Sequence, residues 1–187
     1  HLSIRRQRQM CIRDSFDAVE AGKVAFADGP CVGGRKAEVF RDAHGNPQAV
    51  LMEHSEGRYA YRTLEDVCAE GQAAQSRSAA EAAGFFLRWD EAFGDSPLLK
   101  ERAGFALLKA GRLREAETAF RKAIGLNPGL AASWNGLASA LYRQGRHDEA
   151  EGAIRQALGL APDSEEFAMD LETIRKAKAD ARLKKSY

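Results

Sequence analysis

The sequence predicts a mainly α-helical protein: a solenoid of helix-turn-helix pairs with a capping helix, preceded by a small antiparallel three-stranded β meander. Two observations predict the helical part. The stretch GRLREAETAFRKAIGLNP beginning at Gly111 returns as GRHDEAEGAIRQALGLAP at Gly145, and its apolar residues recur three and four positions apart. A third observation predicts the sheet, because residues 36–62 change to short alternating or apolar runs separated by turn residues.

Repeat one spans residues 97–130 and repeat two spans residues 131–164, because the two glycines lie 34 residues apart and the match extends in both directions. Small residues at matching places let two antiparallel helices approach closely, and large residues fill the space between their turns. Each repeat has its glycine where the first helix must end, and a proline after the second helix. We predict helices at about 98–110, 113–126, 131–144 and 147–160.

The order of these residues resembles that of the tetratricopeptide repeat family. The family pattern is a large residue, Leu-Gly, an aromatic residue, and then Ala, Phe, Ala and Pro. Repeat one has the matching residues Ala103, Gly104, Leu107, Gly111, Ala116, Phe120, Ala123 and Pro128. Repeat two has Trp134, Leu137, Ala138, Leu141, Gly145, Ala150, Ile154, Ala157 and Pro162.

The resemblance implies a concave face, lined by the first helix of each pair, that binds a protein or peptide. Carrying over the family's ligand-facing positions gives Glu101, Phe105, Leu108, Lys109, Asn135, Ser139, Tyr142 and Arg143. The best-known subclass clamps a C-terminal carboxylate with Lys and Asn, but here Glu101 stands at the place expected to be basic and Ser139 replaces the usual Asn. We therefore expect a mixed extended peptide, or a helix anchored between Phe105 and Tyr142. The alternative is that these residues pack against residues 16–93 or the terminal helix.

The segments on either side of the repeats are predicted to be helical. Residues 63–96 keep Ala82 and Phe86 one period before the matching residues of repeat one, but they lack the Leu-Gly pair, so they indicate a degenerate repeat or an N-terminal cap. Residues 165–187 follow Ser164, a candidate N-cap, and are predicted to form the capping helix and a tail. Its apolar stripe is Phe167, Leu171 and Ile174, and we interpret its basic end as a solvated face.

Residues 16–62 form a small β-rich segment, with strands predicted at about 36–42, 48–53 and 58–63. Its candidate metal ligands, Cys31, His44, Glu53 and His54, show no paired ligand spacing, and its CVGG stretch lacks the spacing of a phosphate-binding loop. We therefore expect no metal, no cofactor and no catalytic residue, and we predict that the protein is not an enzyme.

Residues 1–15 do not read as part of the fold. MCIRDS, from Met10 to Ser15, resembles one reading frame of the transposon-end adaptor used in sequencing libraries. We expect this segment to be non-native or disordered, so that Cys11 and the nearby arginines carry no function and the true N-terminus is missing.

Composition favours neither nucleic acid nor a membrane surface as a partner. Of the 187 residues, 44% are hydrophobic and 29% charged, and the formal net charge is +1. This balance gives no reason to expect nucleic acid as a partner, and no apolar run approaches the ~18–20 residues of a membrane span. Three widely separated cysteines favour a reducing compartment, so we expect the cytoplasm.

The main functional hypothesis is a bacterial-type scaffold or adaptor that binds a protein partner. Two alternatives stay open. The chain is a fragment carrying the C-terminal accessory domain of a larger enzyme whose catalytic part lies upstream, or it is a structural unit that associates with itself through its groove or a sheet edge.

Overall fold

The computed structural model describes residues 35–41, 47–53 and 59–185. The predictions for residues 1–34, His44 and His54 lie outside the described residues. The strands are β1 (Arg35–Arg41), β2 (Pro47–Glu53) and β3 (Tyr59–Thr63). The helices are α1 (Leu64–Arg77), α2 (Ala79–Phe93), α3 (Pro97–Lys109), α4 (Leu113–Leu126), α5 (Ala131–Arg143), α6 (His147–Leu160) and α7 (Glu165–Lys185). The predicted mainly helical solenoid class is confirmed.

The strands form an antiparallel sheet in the order β1-β2-β3. Val50 of the central strand is opposite Val39 on one side and Arg62 on the other. Val50 is fully buried and belongs to the same apolar cluster as Val67 of α1. A three-stranded sheet is marginal by itself, and this one is stabilised by packing against α1 and α2.

α1 and α2 form a helix pair in front of the two predicted repeats. Thr63 begins α1 with a capping box, since its hydroxyl accepts a hydrogen bond from the Asp66 amide and the Asp66 side chain accepts one from the Thr63 amide. Ser78 both ends α1 and caps α2, where its hydroxyl accepts a hydrogen bond from the Glu81 amide. The turn between the helices is therefore a single residue.

α3–α4 and α5–α6 are the two predicted repeats, and each helix begins and ends within one residue of its predicted bounds. Gly111 and Gly145 both have φ +77° and take the left-handed conformation that ends α3 and α5. One apolar cluster runs without interruption from Val50 in the sheet to Ile174 in α7. The array is therefore continuous across all its helix pairs.

α7 closes the array by packing against α6. Ser164 caps it as predicted, its hydroxyl accepting a hydrogen bond from the Phe167 amide at 3.3 Å. Ile174 is buried, with Phe167 and Leu171 half-buried beside it. We expected the basic end of α7 to be a solvated face, but Arg175, Lys178 and Arg182 form ion pairs with carboxylates of α6. Among the helices described here, none has the length and apolar character needed to cross a membrane.

Candidate binding surface

The first helices of the three pairs, α1, α3 and α5, lie in succession along the array. α3 contacts both α1 and α5. We call the surface formed by these three helices the first-helix face. All eight predicted site residues lie on α3 or α5, and the structure places them in three different environments.

Glu101 and Asn135 are buried within the array, each only 7% exposed. The Ser133 hydroxyl of α5 donates a 2.6 Å hydrogen bond to the Glu101 carboxylate, which ties α3 to α5. The Asn135 amide donates a long hydrogen bond, 3.5 Å, to the Glu166 carboxylate in the first turn of α7. The Asn135 side-chain oxygen is buried and accepts no hydrogen bond from any residue that the structure describes. Both polar groups therefore face neighbouring helices.

Phe105 and Lys109 come together at a groove between α1 and α3. The groove has a volume of about 220 Å³, and its lining consists of Gln72, Gln75, Phe86, Arg102, Phe105 and Lys109. Phe105 is half-buried, and its ring meets the Phe120 ring edge-on with centroids 5.0 Å apart. Lys109 is exposed in the last turn of α3. The groove thus has a fixed aromatic wall and a cation at its rim.

The other four predicted residues lie on the second half of α3 and of α5. The Arg143 guanidinium donates a 2.6 Å hydrogen bond to the carbonyl oxygen of Leu108 at the end of α3, which also accepts a hydrogen bond from the Gly111 amide. Tyr142 is half-buried, with its ring 5.5 Å from the imidazole of His147. Leu108 and Ser139 are half-buried. Part of this set is therefore used in joining neighbouring helices.

Sequence reasoning missed the α1 side of the groove, including Gln72 and Gln75. The missing signal was Gly71. A Cβ at Gly71 would lie 2.2 Å from the Phe86 ring, just as one at Gly104 would lie 2.7 Å from the Phe120 ring. Gly71 is one position away from where the 34-residue period places it, because the turn at Ser78 is shorter than the turn between α3 and α4. The α1–α2 pair therefore packs through the same kind of glycine-aromatic contact as α3–α4.

The charges on the first-helix face are predominantly positive at the α1–α3 groove. Within the described ranges, neither Arg102 nor Lys109 forms an ion pair. Arg102 instead contacts the Cys68 thiol. Burial raises the pKa of that thiol, and the hydrogen bond and charge of Arg102 oppose the rise only in part. Cys68 is therefore a half-buried thiol that keeps its proton more firmly than an exposed thiol does.

No grouping of metal-ligating side chains occurs in the part of the chain that the structure describes. An ionic cluster lies away from the groove, where the Glu117 carboxylate of α4 accepts hydrogen bonds from Arg146 and Gln144 of the next pair. This cluster joins neighbouring helix pairs.

Sequence and structure comparisons identify the class of the repeated helix pairs. The family model described as "Tetratricopeptide repeat" matches residues 102–165. The pairs α3–α4 and α5–α6 are therefore tetratricopeptide repeats, as the sequence predicted. No curated protein sequence matches the chain significantly.

Solved structures similar to this chain include the Sgt2 TPR domain from Aspergillus fumigatus, with a TM-score of 0.60, 18% identity, and coverage of 63% of this chain and 80% of that one. The first TPR domain of human RPAP3 has a TM-score of 0.60 and 20% identity, covering 65% and 94%. The second, solved with the HSP70 peptide SGPTIEEVD, has a TM-score of 0.55 and 23% identity, covering 58% and 92%. At these identities the likeness concerns the fold.

Proposed function

We propose that this protein is a non-catalytic interaction module, a scaffold or adaptor, that binds a peptide or helix of a protein partner on its first-helix face. The observation that carries the proposal is the open groove between α1 and α3. Its aromatic wall, Phe105, packs against Phe120. Among the described residues, Gln72, Gln75 and Lys109 of the groove form no side-chain hydrogen bond or ion pair. An open cleft with an apolar wall and a few converging polar groups is the usual form of a binding site.

The similar structures support this proposal through what they bind. The second TPR domain of human RPAP3 was solved in complex with an HSP70 peptide. The first TPR of Spaghetti was solved with the HSP90 peptide SRMEEVD. The partner of the present chain need not be related to either peptide. The position where a basic residue would bind a C-terminal carboxylate is occupied by Glu101, which is buried and accepts a hydrogen bond from Ser133.

The proposal is tested by selecting peptides from a random displayed library on the immobilised full chain. The selected peptides are then measured against Phe105→Ala and Tyr142→Ala. An aromatic contact at the centre of an interface typically contributes about 2 kcal/mol, so we expect about a 30-fold loss of affinity for Phe105→Ala. Leu87→Ala removes an apolar side chain that is 42% exposed on α2, and it serves as the matched control with unchanged affinity.

Circular dichroism and a urea titration of each variant check that the helices remain folded. Failure of the library to enrich any peptide on the full chain, relative to an empty support, would count against an interaction module of this kind. Equal affinity of the wild-type chain and a folded Phe105→Ala variant would move the binding site away from the first-helix face.

A further inference from the structure

The lining of the α1–α3 groove has a definite chemical character. It contains two side-chain amides, two aromatic rings and two cations: Gln72 and Gln75, Phe86 and Phe105, and Arg102 and Lys109. The groove, at about 220 Å³, is smaller than the ~300–1,000 Å³ typical of small-molecule pockets. It therefore has room for one or two side chains of a longer ligand.

The two cations are available to a ligand. In the described part of the chain no carboxylate lies within ion-pair distance of either. The Nε atom of Arg102 is buried and donates no hydrogen bond to any described residue. A buried donor without an acceptor is costly, and a carboxylate is its strongest acceptor.

The nearest acids do not neutralise the groove. Glu101 precedes Arg102 on α3, but its carboxylate is buried and accepts a hydrogen bond from Ser133 on the α5 side. Glu70 on α1 pairs with Arg62 of the sheet at 2.9 Å. Among the residues that the structure describes, no carboxylate lines the groove, so the lining itself is positively charged.

Resting on the proposed function, we propose that the α1–α3 groove selects an acidic segment of a partner protein. In this segment an internal Asp or Glu side chain reaches Arg102 and Lys109, and a neighbouring apolar side chain packs on Phe105. The amides of Gln72 and Gln75 bind the peptide backbone of the ligand, since each amide both donates and accepts. Charge complementarity sets the choice of partner and speeds the encounter.

The test uses three labelled peptide probes with the same leucine-phenylalanine centre, flanked by glutamate, glutamine or lysine. All three are amidated at the C-terminus, so that no terminal carboxylate is present. Fluorescence anisotropy with the full chain should give the tightest binding for the glutamate probe, and that binding should weaken as salt is raised. The glutamine probe should bind about tenfold more weakly, as expected for the loss of one charge-assisted contact.

Substitutions then locate the charge preference. Arg102→Gln and Lys109→Gln should each reduce affinity for the glutamate probe about tenfold, and should leave affinity for the glutamine probe nearly unchanged. Lys122→Gln removes the same charge from an exposed position on α4 and should have no effect. Lys109 is exposed, so its variant tests the groove even where Arg102→Gln lowers stability.

Four outcomes would overturn the proposal. Equal binding of the glutamate and glutamine probes, with both lost in Phe105→Ala, would leave the interaction module intact and remove its acidic preference. Unchanged affinity of the glutamate probe for both Arg102→Gln and Lys109→Gln would place the binding site for the acidic segment elsewhere. Self-association of the chain, with less probe bound per chain as the chain concentration rises, would make a second copy the occupant. Failure of every probe together with failure of the library selection would remove the proposed function as well.

Discussion

Phe120 lies where the two tetratricopeptide repeats meet. Its ring has room there because two neighbouring residues, Gly104 and Gly136, have no side chain. A Cβ added at Gly104 would lie 2.7 Å from the Phe120 ring, and one added at Gly136 would lie 2.3 Å from it. In the second repeat, Ala138 and Ile154 occupy the places of Gly104 and Phe120, so a smaller partner there accepts a methyl group. The large Phe120 ring thus packs directly against helix backbone at the two glycines of this interface.

This match predicts opposite effects for two glycine-to-alanine substitutions. Gly136→Ala should destabilise the protein by about 1–3 kcal/mol, because overpacking forces the buried ring and the helix apart. Gly152→Ala has open space around the new Cβ and lies within α6, so it should stabilise by about 0.5–1 kcal/mol. Urea unfolding followed by circular dichroism measures both. Stabilisation by Gly136→Ala would mean that the ring moves aside freely.

Glu117 joins α4 to the next pair through an ion pair with Arg146. Burial pushes the pKa of its carboxyl upward, but hydrogen bonds from Gln144 and Arg146 and the charges of Arg121 and Arg146 outweigh burial and hold that pKa below its ordinary value of 4.5. The native state therefore binds the Glu117 proton less readily than the unfolded chain does. Its contribution to stability is complete above about pH 4.5 and disappears as the pH falls through the lower native value.

Glu117→Gln should therefore flatten the dependence of the unfolding free energy on pH below about 4.5, while lowering stability at neutral pH. The comparison is a series of urea titrations of wild type and variant from neutral to acidic pH. Glu115→Gln, which removes an exposed carboxylate from the same helix, is the matched control. Parallel pH curves for wild type and Glu117→Gln would show that other carboxyl groups account for the acid loss.

At the scale of elements, α7 combines a narrow apolar contact with a set of ion pairs. Ile174 is 3% exposed against α6. Lys178 lies 2.7 Å from both the Asp148 and Glu151 carboxylates, and Arg175 reaches Glu151 at 3.3 Å. Ion pairs that are partly open to water stabilise little, whereas truncation of a buried isoleucine to alanine costs about 2–5 kcal/mol. The apolar contact should therefore hold α7 more firmly than its charges.

Hydrogen exchange measures how firmly α7 is held. Ile174→Ala should speed amide exchange in α7 strongly, Lys178→Gln should speed it less, and exchange in α3 and α4 should stay unchanged in both variants. Lys176→Gln is the matched control, because Lys176 is exposed on the same helix and takes part in no ion pair among the described residues. A larger effect of Lys178→Gln than of Ile174→Ala would make α7 an electrostatically held helix.

The elements differed in how well the sequence could predict them. Residues 97–160 were predictable within a residue because the period, the glycines at helix ends and the prolines all agree. The pair α1–α2 was only partly recognised, since the short turn at Ser78 moves Gly71 out of register while preserving its contact with Phe86. Periodicity detects spacing along the chain, and here the packing contact survived a change in spacing.

The binding face was less predictable than the helices. Family positions indicated Phe105 and Lys109, which line the groove, but also Glu101 and Asn135, which are buried. Whether a polar side chain on such a helix is accessible to a ligand depends on its hydrogen-bond partner in the next pair. The partner of Glu101 is Ser133, 32 positions later in the chain. The role of Arg102 likewise follows from its contact with α1, which no pattern within its own repeat contains.

At the scale of the whole molecule, the sheet and three helix pairs share one apolar cluster from Val50 to Ile174. The junction between α2 and α3 is reinforced by Lys100, which is 7% exposed and pairs with Asp90 of α2 and Asp95 of the connecting turn. In arrays of helix pairs, stability is nearly the sum of the units and the interfaces between neighbours. A strong interface at this junction should make the first pair unfold with the repeats.

The two tryptophans allow this coupling to be measured, since Trp89 lies in the first pair and Trp134 in the second repeat. In Trp134→Phe the fluorescence comes from Trp89 alone, and in Trp89→Phe it comes from Trp134 alone. Within each variant, the urea midpoint by fluorescence should coincide with the midpoint by circular dichroism, as two-state unfolding requires. Replacing the fully buried Trp89 lowers stability by itself. The two midpoints are therefore compared within each variant and not between variants. A Trp89 signal that changes at lower urea than the helical signal would make the sheet and first pair a separate folding unit. The α1–α3 groove would then lie between two folding units, and it would open before the repeats unfold.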